Sequence, residues 1–239
     1  MAVYLILEIL ILTNHNKKNN ILMARIIKPR KSNFSVVIIV DGKDEKWYLE
    51  KVRENYKPET LRKTSLEPKL AQKKKVVELF EEAKDKVVNG FSKAILIIDF
   101  DELGKDNREL GKFKELFFIY QNVHEGIEKV SKKHQWMKQL MLIVNSPCIE
   151  FWYLLHFYKT QKYYPNFDSL KKDLISIKEL SEYRKSEAYY NKLPDIYTRL
   201  GGDVGLEKAR LNAVAFDIEE CKNKGFSEMN KLFDFFDKI

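Results

Sequence analysis

The sequence predicts an α/β fold: a mainly parallel β-sheet flanked by helices, with a helical C-terminal extension. Three observations carry this. Val36-Val37-Ile38-Ile39-Val40, Ala94-Ile95-Leu96-Ile97-Ile98 and Leu140-Met141-Leu142-Ile143-Val144 are unbroken apolar runs, the pattern of strands buried on both faces. Between the first two, Val76, Leu79, Phe80, Ala83 and Val87 recur at helical spacing, and strands alternating with helices indicate βαβ units. After Tyr158 no long β-branched run remains.

Taken in order, residues 1–33 are expected to be an N-terminal extension. The apolar stretch from Val3 to Leu12 is interrupted by Glu8 and is short of the roughly 20 residues that a membrane span needs. No basic residues precede it and no small-residue cleavage site follows, so neither a span nor a leader is expected. Met23 offers a second start. The basic stretch that includes Lys28, Arg30 and Lys31 reads as a solvated arm or as an arm that contacts phosphate; an extra strand or helix on the core is the alternative. Asp41-Gly42 breaks the first strand, a helix is expected over 44–56, a short strand over 60–66, and a helix over 68–88 closed by Asn89-Gly90. A polar loop containing Gly104 and Gly111 should follow the second strand, then a helix over 113–133. Ser146 and Pro147 suit the cap and first position of a buried helix over 147–158. Helices are expected over 171–184 and 205–224, with a turn at Gly201-Gly202. The domain of interest is thus 34–160, and 161–239 is the helical extension.

Composition narrows the class without naming it. Apolar residues make up 44% and charged residues 33%, which excludes a disordered chain. Aromatics reach 13%, so part of that load is expected on a surface or in a cleft. Lys and Arg outnumber Asp and Glu by 43 to 35, for a net +8; this favours a polyanionic partner but does not establish one. Cys148 and Cys221 lack metal spacing and have no histidine nearby in a zinc pattern, so a reducing, cytoplasmic location is expected.

The chemistry concentrates where predicted strands end, which is where ligands gather in parallel sheets. Asp99 and Asp101 flank Phe100 directly after a strand. In extended chain their carboxylates point the same way and repel, unless a hard cation such as Mg²⁺ lies between them. A polar strand end that caps the next turn is the alternative. Asp41 ends the first strand, and an acid there needs a partner. Lys43 stands next to it and could meet phosphate. Asp44 and Glu45 could simply favour the helix dipole. Asn145 and Ser146 end the third strand and could contact phosphate. Glu150 and His156 fall on opposite sides of one helix, so they do not form a pair. His156 reads as a hydrogen-bonded core histidine, Cys148 as a small buried hydrophobe, and Trp152 and Tyr153 as core.

Asn145-Ser146-Pro147-Cys148-Ile149-Glu150-Phe151-Trp152-Tyr153-Leu154-Leu155-His156-Phe157 resembles the Ser-Asn-Pro-Cys-Phe-Glu-x-Trp-x-Leu-Leu-His-Phe signature of the RloB-like proteins of bacterial restriction and phage-defence loci. Asp41-Gly42-Lys43-Asp44-Glu45-Lys46-Trp47-Tyr48 and Asp99-Phe100-Asp101 resemble that family's Glu-Gly-x-Thr-Glu-x-x-Tyr and Asp-x-Asp blocks, in the same order. The likeness covers roughly 34–160. It implies a TOPRIM-like, that is Rossmann-like, fold, in which a Glu after the first strand moves a proton and Asp-x-Asp binds Mg²⁺. Carried over, Asp41 takes the Glu place with Glu45 as a further catalytic acid, and Asp99, Asp101 and Glu150 bind Mg²⁺ or Mn²⁺. The implied function is a metal-dependent nuclease, an effector of phage defence acting on DNA or RNA. Two departures count: Asp41 is one methylene shorter than the family Glu, and Asn145-Ser146 reverses the family order. They leave open a degenerate binding or regulatory subunit partnering an ATPase from a neighbouring gene. No membrane role is implied, and self-association is left open.

Overall fold

The computed structural model describes residues 34–61, 63–67, 74–126 and 130–239. The expectations for 1–33, including Met23, Lys28, Arg30 and Lys31, lie outside the described residues. The chain begins with β1 (Val36–Val40), α1 (Lys43–Asn55), α2 (Pro58–Leu61), β2 (Ser65–Glu67) and α3 (Val76–Val88). It continues through β3 (Lys93–Asp99), α4 (Phe100–Lys105), α5 (Asn107–Glu125), a 3₁₀ segment (Lys132–Gln139), β4 (Leu140–Ser146) and α6 (Glu150–Leu155). Then come α7 (Phe167–Ser176), a short 3₁₀ turn (Lys178–Leu180), α8 (Glu187–Asn191), α9 (Ile196–Arg199), α10 (Gly202–Asn212), β5 (Phe226–Ser227) and α11 (Asn230–Phe236).

The α/β expectation holds. The sheet has five strands in the order β2-β1-β3-β4-β5. β1 pairs in parallel with β2 and β3, and β3 with β4, while β5 is antiparallel to β4. Side-chain alternation divides the strands between two cores. Val36, Ile38, Val40, Ile95, Ile97 and Ile143 face α1 and α6. Val37, Ile39, Leu96, Ile98, Leu142 and Val144 face α3 and α5. Each such side chain, taken fully out of water, contributes about 1.5–3 kcal/mol. The three apolar runs therefore anchor both layers.

Several boundaries differ from the sequence reading. Gly104 and Gly111 lie inside α4 and α5 rather than in a loop. Asp106 caps α5 by accepting the N–H groups of Arg108 and Glu109, and Leu110, Phe113 and Phe117 bury one face; packing outweighs the cost of a helical glycine. α5 ends at Gly126, whose φ of 67° suits glycine. Ser146 does not cap a helix. It is still in β4, paired with Phe226, and α6 starts at Glu150. The run expected over 205–224 stops at Asn212. The expected turn is present: Gly201 and Gly202 have φ of 91° and 56°.

Residues 161–239 contain more than helices. They supply the edge strand β5, and Leu170, Tyr183, Tyr190, Leu206 and Phe233 enter the core shared with α1 and α6. Residues 34–239 form a single contact unit. Among the described residues, no helix is long and apolar enough to cross a membrane.

Candidate acidic site at the strand ends

The chain leaves β1 towards β2 on one side, and β3 leads to β4 on the other. Such a reversal opens a crevice between β1 and β3 at their carboxyl ends. Alternation then decides which side chains enter it. Asp99 follows Ile95 and Ile97 on the α1/α6 face, and Asn145 follows Ile143 on the same face. The first turn of α1 brings Asp44 and Glu45 to that face, and the first turn of α6 brings Glu150.

Here Glu45 is 3% exposed and hydrogen-bonds Asp99 side chain to side chain. Asn145 donates from Nδ2 to Asp99 Oδ1 at 3.4 Å, and Ser227 Oγ donates to Asn145 Oδ1 at 2.7 Å. Tyr183 donates to Glu150 Oε1 at 2.6 Å. Lys185 Nζ lies 2.8 Å from the same oxygen and 3.5 Å from Asp44 Oδ2. Tyr190 bonds Tyr183 at 2.8 Å and Tyr153 at 3.2 Å, so hydroxyls tie Glu150 into the core.

The electrostatics follow from this crowding. Burial pushes Glu45 up to about 7, against its hydrogen bond with Asp99. Burial raises Asp99 well above the usual carboxylate range, and the Glu45 and Glu150 carboxylates push the same way while Lys185 opposes them. Two acids in contact thus hold on to a proton at neutral pH. Asp44 is raised mainly by burial. Burial opposes the charge of Lys185, but the Glu150 carboxylate holds it well above the ordinary lysine value.

Gly42 has a spatial role at this point. A Cβ there would stand 2.5 Å from Glu45 Oε2, so the carboxylate lies over the bare glycine. Gly42→Ala is expected to displace it and drop the Glu45 titration from about 7 towards the ordinary glutamate range. Carboxyl ¹³C NMR across pH reads this directly; an unmoved midpoint would show that the space above Gly42 is not what seats Glu45.

The other expected residues are placed differently. Asp41 points away from Glu45, as alternation after Val40 requires, and lines a cavity of about 440 Å³ with Lys74, Leu79, Ile98 and Leu103. Asp101 lies in the first turn of α4, so it does not continue the strand alternation of Asp99, and with Ser146 it lines a second cavity. Lys43 is exposed on the first turn of α1. His156 is a core residue as expected: Nδ1 meets Leu200 O at 3.0 Å, and burial pushes it down to about 3. Cys148 is a buried free thiol that burial pushes well up. Lys185, Tyr183 and Ser227 escape sequence reasoning. They sit in polar, non-periodic stretches, and only the fold brings them to the acids.

Does this set suit a metal ion? Among the described residues, no group of three or more His, Cys, Asp or Glu is arranged to hold one. The donors nevertheless have the right chemistry. Asp44 Oδ1, Glu45 Oε2 and Glu150 Oε2 are buried oxygens without a hydrogen-bond partner, and Mg²⁺ commonly takes only one or two carboxylates with water and phosphate oxygens completing its shell. The carboxylate of Asp99, with Glu45 beside it, would suit that mode.

These features define an α/β protein with an acidic crevice at the carboxyl ends of its parallel strands. The chain belongs to the RloB-like protein family, whose model matches residues 36–235. That span runs beyond the blocks at 41–48, 99–101 and 145–157 and takes in Lys185, Ser227 and β5. No curated protein and no solved structure matches the chain.

Proposed function

We propose that this chain is a metal-dependent nuclease that hydrolyses phosphodiesters as an effector of bacterial phage defence. The observation that carries the reading is the pairing of buried Glu45 with half-buried Asp99 at the β1/β3 crevice, with Glu45 at about 7. A group titrating near working pH is suited to general acid–base chemistry. Asp99 would hold Mg²⁺ or Mn²⁺. When bound, such an ion polarises a phosphoryl oxygen and acidifies water. Glu45 carries the proton, the role that family likeness gives Asp41; Asp41 faces the other core, and Glu45 touches Asp99. Lys185, whose side chain is 34% exposed, offers an ammonium to a phosphate at the crevice mouth. Glu150 and Asp44 hold that ammonium in place, and Tyr183 in turn holds Glu150. The net charge of +8 suits a polyanionic substrate.

The test is purified protein with Mg²⁺ or Mn²⁺ against DNA and RNA, together with a divalent-ion thermal shift. Parent protein should cleave and should gain thermal stability with the ion. Asp99→Ala should lose both, with cleavage down at least a hundredfold. Cleavage that survives Asp99→Ala would overturn the assignment. One observation favours a second reading, a non-catalytic subunit serving an ATPase: Lys185 already neutralises part of the cluster. No thermal shift and no cleavage by the parent would decide for it.

A further inference from the structure

Beside the acidic crevice lies a cavity of about 300 Å³, lined by Asp101, Lys105, Ser146, Tyr163, Tyr164 and Lys222 among others. Its position follows from the sheet. Ser146 is the residue after Asn145, whose side chain donates to Asp99. The N–H of Asp101 donates to the carbonyl of Pro147 at 2.9 Å, which fixes the start of α4 against the end of β4. The far wall is equally fixed. Gly225 N–H donates to Gln161 O at 3.0 Å, and a Cβ at Gly225 would collide with Phe151 Cε2 at 2.3 Å and Lys162 O at 2.7 Å. The cavity is therefore a built concavity one strand away from the reacting groups.

Its lining has three kinds of group. Tyr163 is 41% exposed while its neighbour Tyr164 is 3% exposed. An aromatic face open to solvent at the rim of a cleft can stack with a planar ligand group. Lys105 and Lys222 are exposed residues at the same opening. Asp101 and Ser146 supply polar edges inside. An aromatic platform, flanking cations and a few polar edges are what single-stranded nucleic acid uses: bases stack on aromatics and backbone phosphates meet lysines. The volume is at the small end of ligand clefts and is large enough for a nucleobase.

We infer that this cavity receives the unpaired base of a nucleotide next to the bond being cleaved. The base lies against Tyr163, and Lys222 contacts the adjoining phosphate. The substrate class is thereby single-stranded nucleic acid, or a looped-out base within a longer structure. The inference rests on the nucleic-acid reading above, but it does not require turnover.

Fluorescence anisotropy of the full chain in chelator, with labelled single-stranded and duplex oligonucleotides, tests it without catalysis. Parent protein should bind single strands more tightly than duplex. Tyr163→Ala should weaken single-strand binding about tenfold, the scale of one lost stacking contact, and leave duplex binding unchanged. Tyr163→Phe should bind like the parent, since the ring is kept. Lys222→Ala should weaken binding and flatten its salt dependence. Tyr163 is at the surface, so these variants leave the cores intact. Equal binding by parent and Tyr163→Ala overturns the inference, as does a loss that falls equally on duplex. A parent that binds through Tyr163 but never cleaves would sink the nuclease reading alone; a parent that cleaves with Tyr163→Ala binding unchanged would sink this inference alone.

Discussion

Glu45→Gln is expected to be more stable than the parent at pH 8 and unable to cleave. The ordinary glutamate value is 4.5, and burial raises Glu45 to about 7. Between those values the folded chain holds a proton that the unfolded chain has released. Stability therefore falls as pH rises through this window, and the full penalty is present above about pH 7. The shift corresponds to about 3 kcal/mol. Asp99 is raised by the same burial and by Glu45 itself, so its contribution has the same sign. Glutamine is nearly the same shape, carries no charge, and can donate to Asp99. Urea unfolding in chelator at pH 5 and pH 8 should show the parent losing stability between the two and the variant losing much less. Cleavage should fall at least a hundredfold, while the divalent-ion thermal shift, assigned to Asp99, should remain. Parallel stability curves for parent and variant would contradict the assignment of strain to this pair. A site that sacrifices stability for chemistry is a general pattern in enzymes.

Gly205→Ala is expected to destabilise the fold by about 4 kcal/mol or more, a size reserved for a few named mechanisms. A Cβ at 205 would stand 1.8 Å from the carbonyl oxygen of Leu200 and 2.8 Å from its carbon. Both are backbone atoms, so no side-chain rotation relieves the clash. The same oxygen meets His156 Nδ1 at 3.0 Å, and that ring would be 3.2 Å from the new methyl. α10 would have to lift from α6, which uncovers Leu206 and Ala209, both 0% exposed. A midpoint in urea close to the parent's would show that α10 can slide without loss.

The parts legible in sequence were those with a periodic apolar signal. β1, β3 and β4 are strong runs, α3 has a clear buried face, and α6 is apolar nearly all round. What stayed hidden depended on contacts between distant segments. β5 is two residues long and has no pattern of its own; it exists because β4 has an open edge. Gly104 and Gly111 read as loop residues because propensity is local, whereas Phe113 and Phe117 hold α5 through packing. At the site, Asp99 was legible as a strand-end acid, and Glu45 as an acid in the matched block. Their contact was not legible, because it depends on where α1 lies across the sheet. Asp41 and Asp101 read as strand-end acids just as Asp99 does, but alternation turns one to the other core and α4 carries the other out of the strand.

The short edge strand also sets when the crevice can form. Ser227 in β5 holds Asn145, and Asn145 holds Asp99. Glu228 accepts the N–H of Val144 at 3.1 Å and that of Phe216 at 3.1 Å, stitching the same edge. A chain still on the ribosome and short of these residues has the acids but not the clasp that orients them. Assembly of the crevice therefore waits until Ser227, 82 positions after Asn145, has been made.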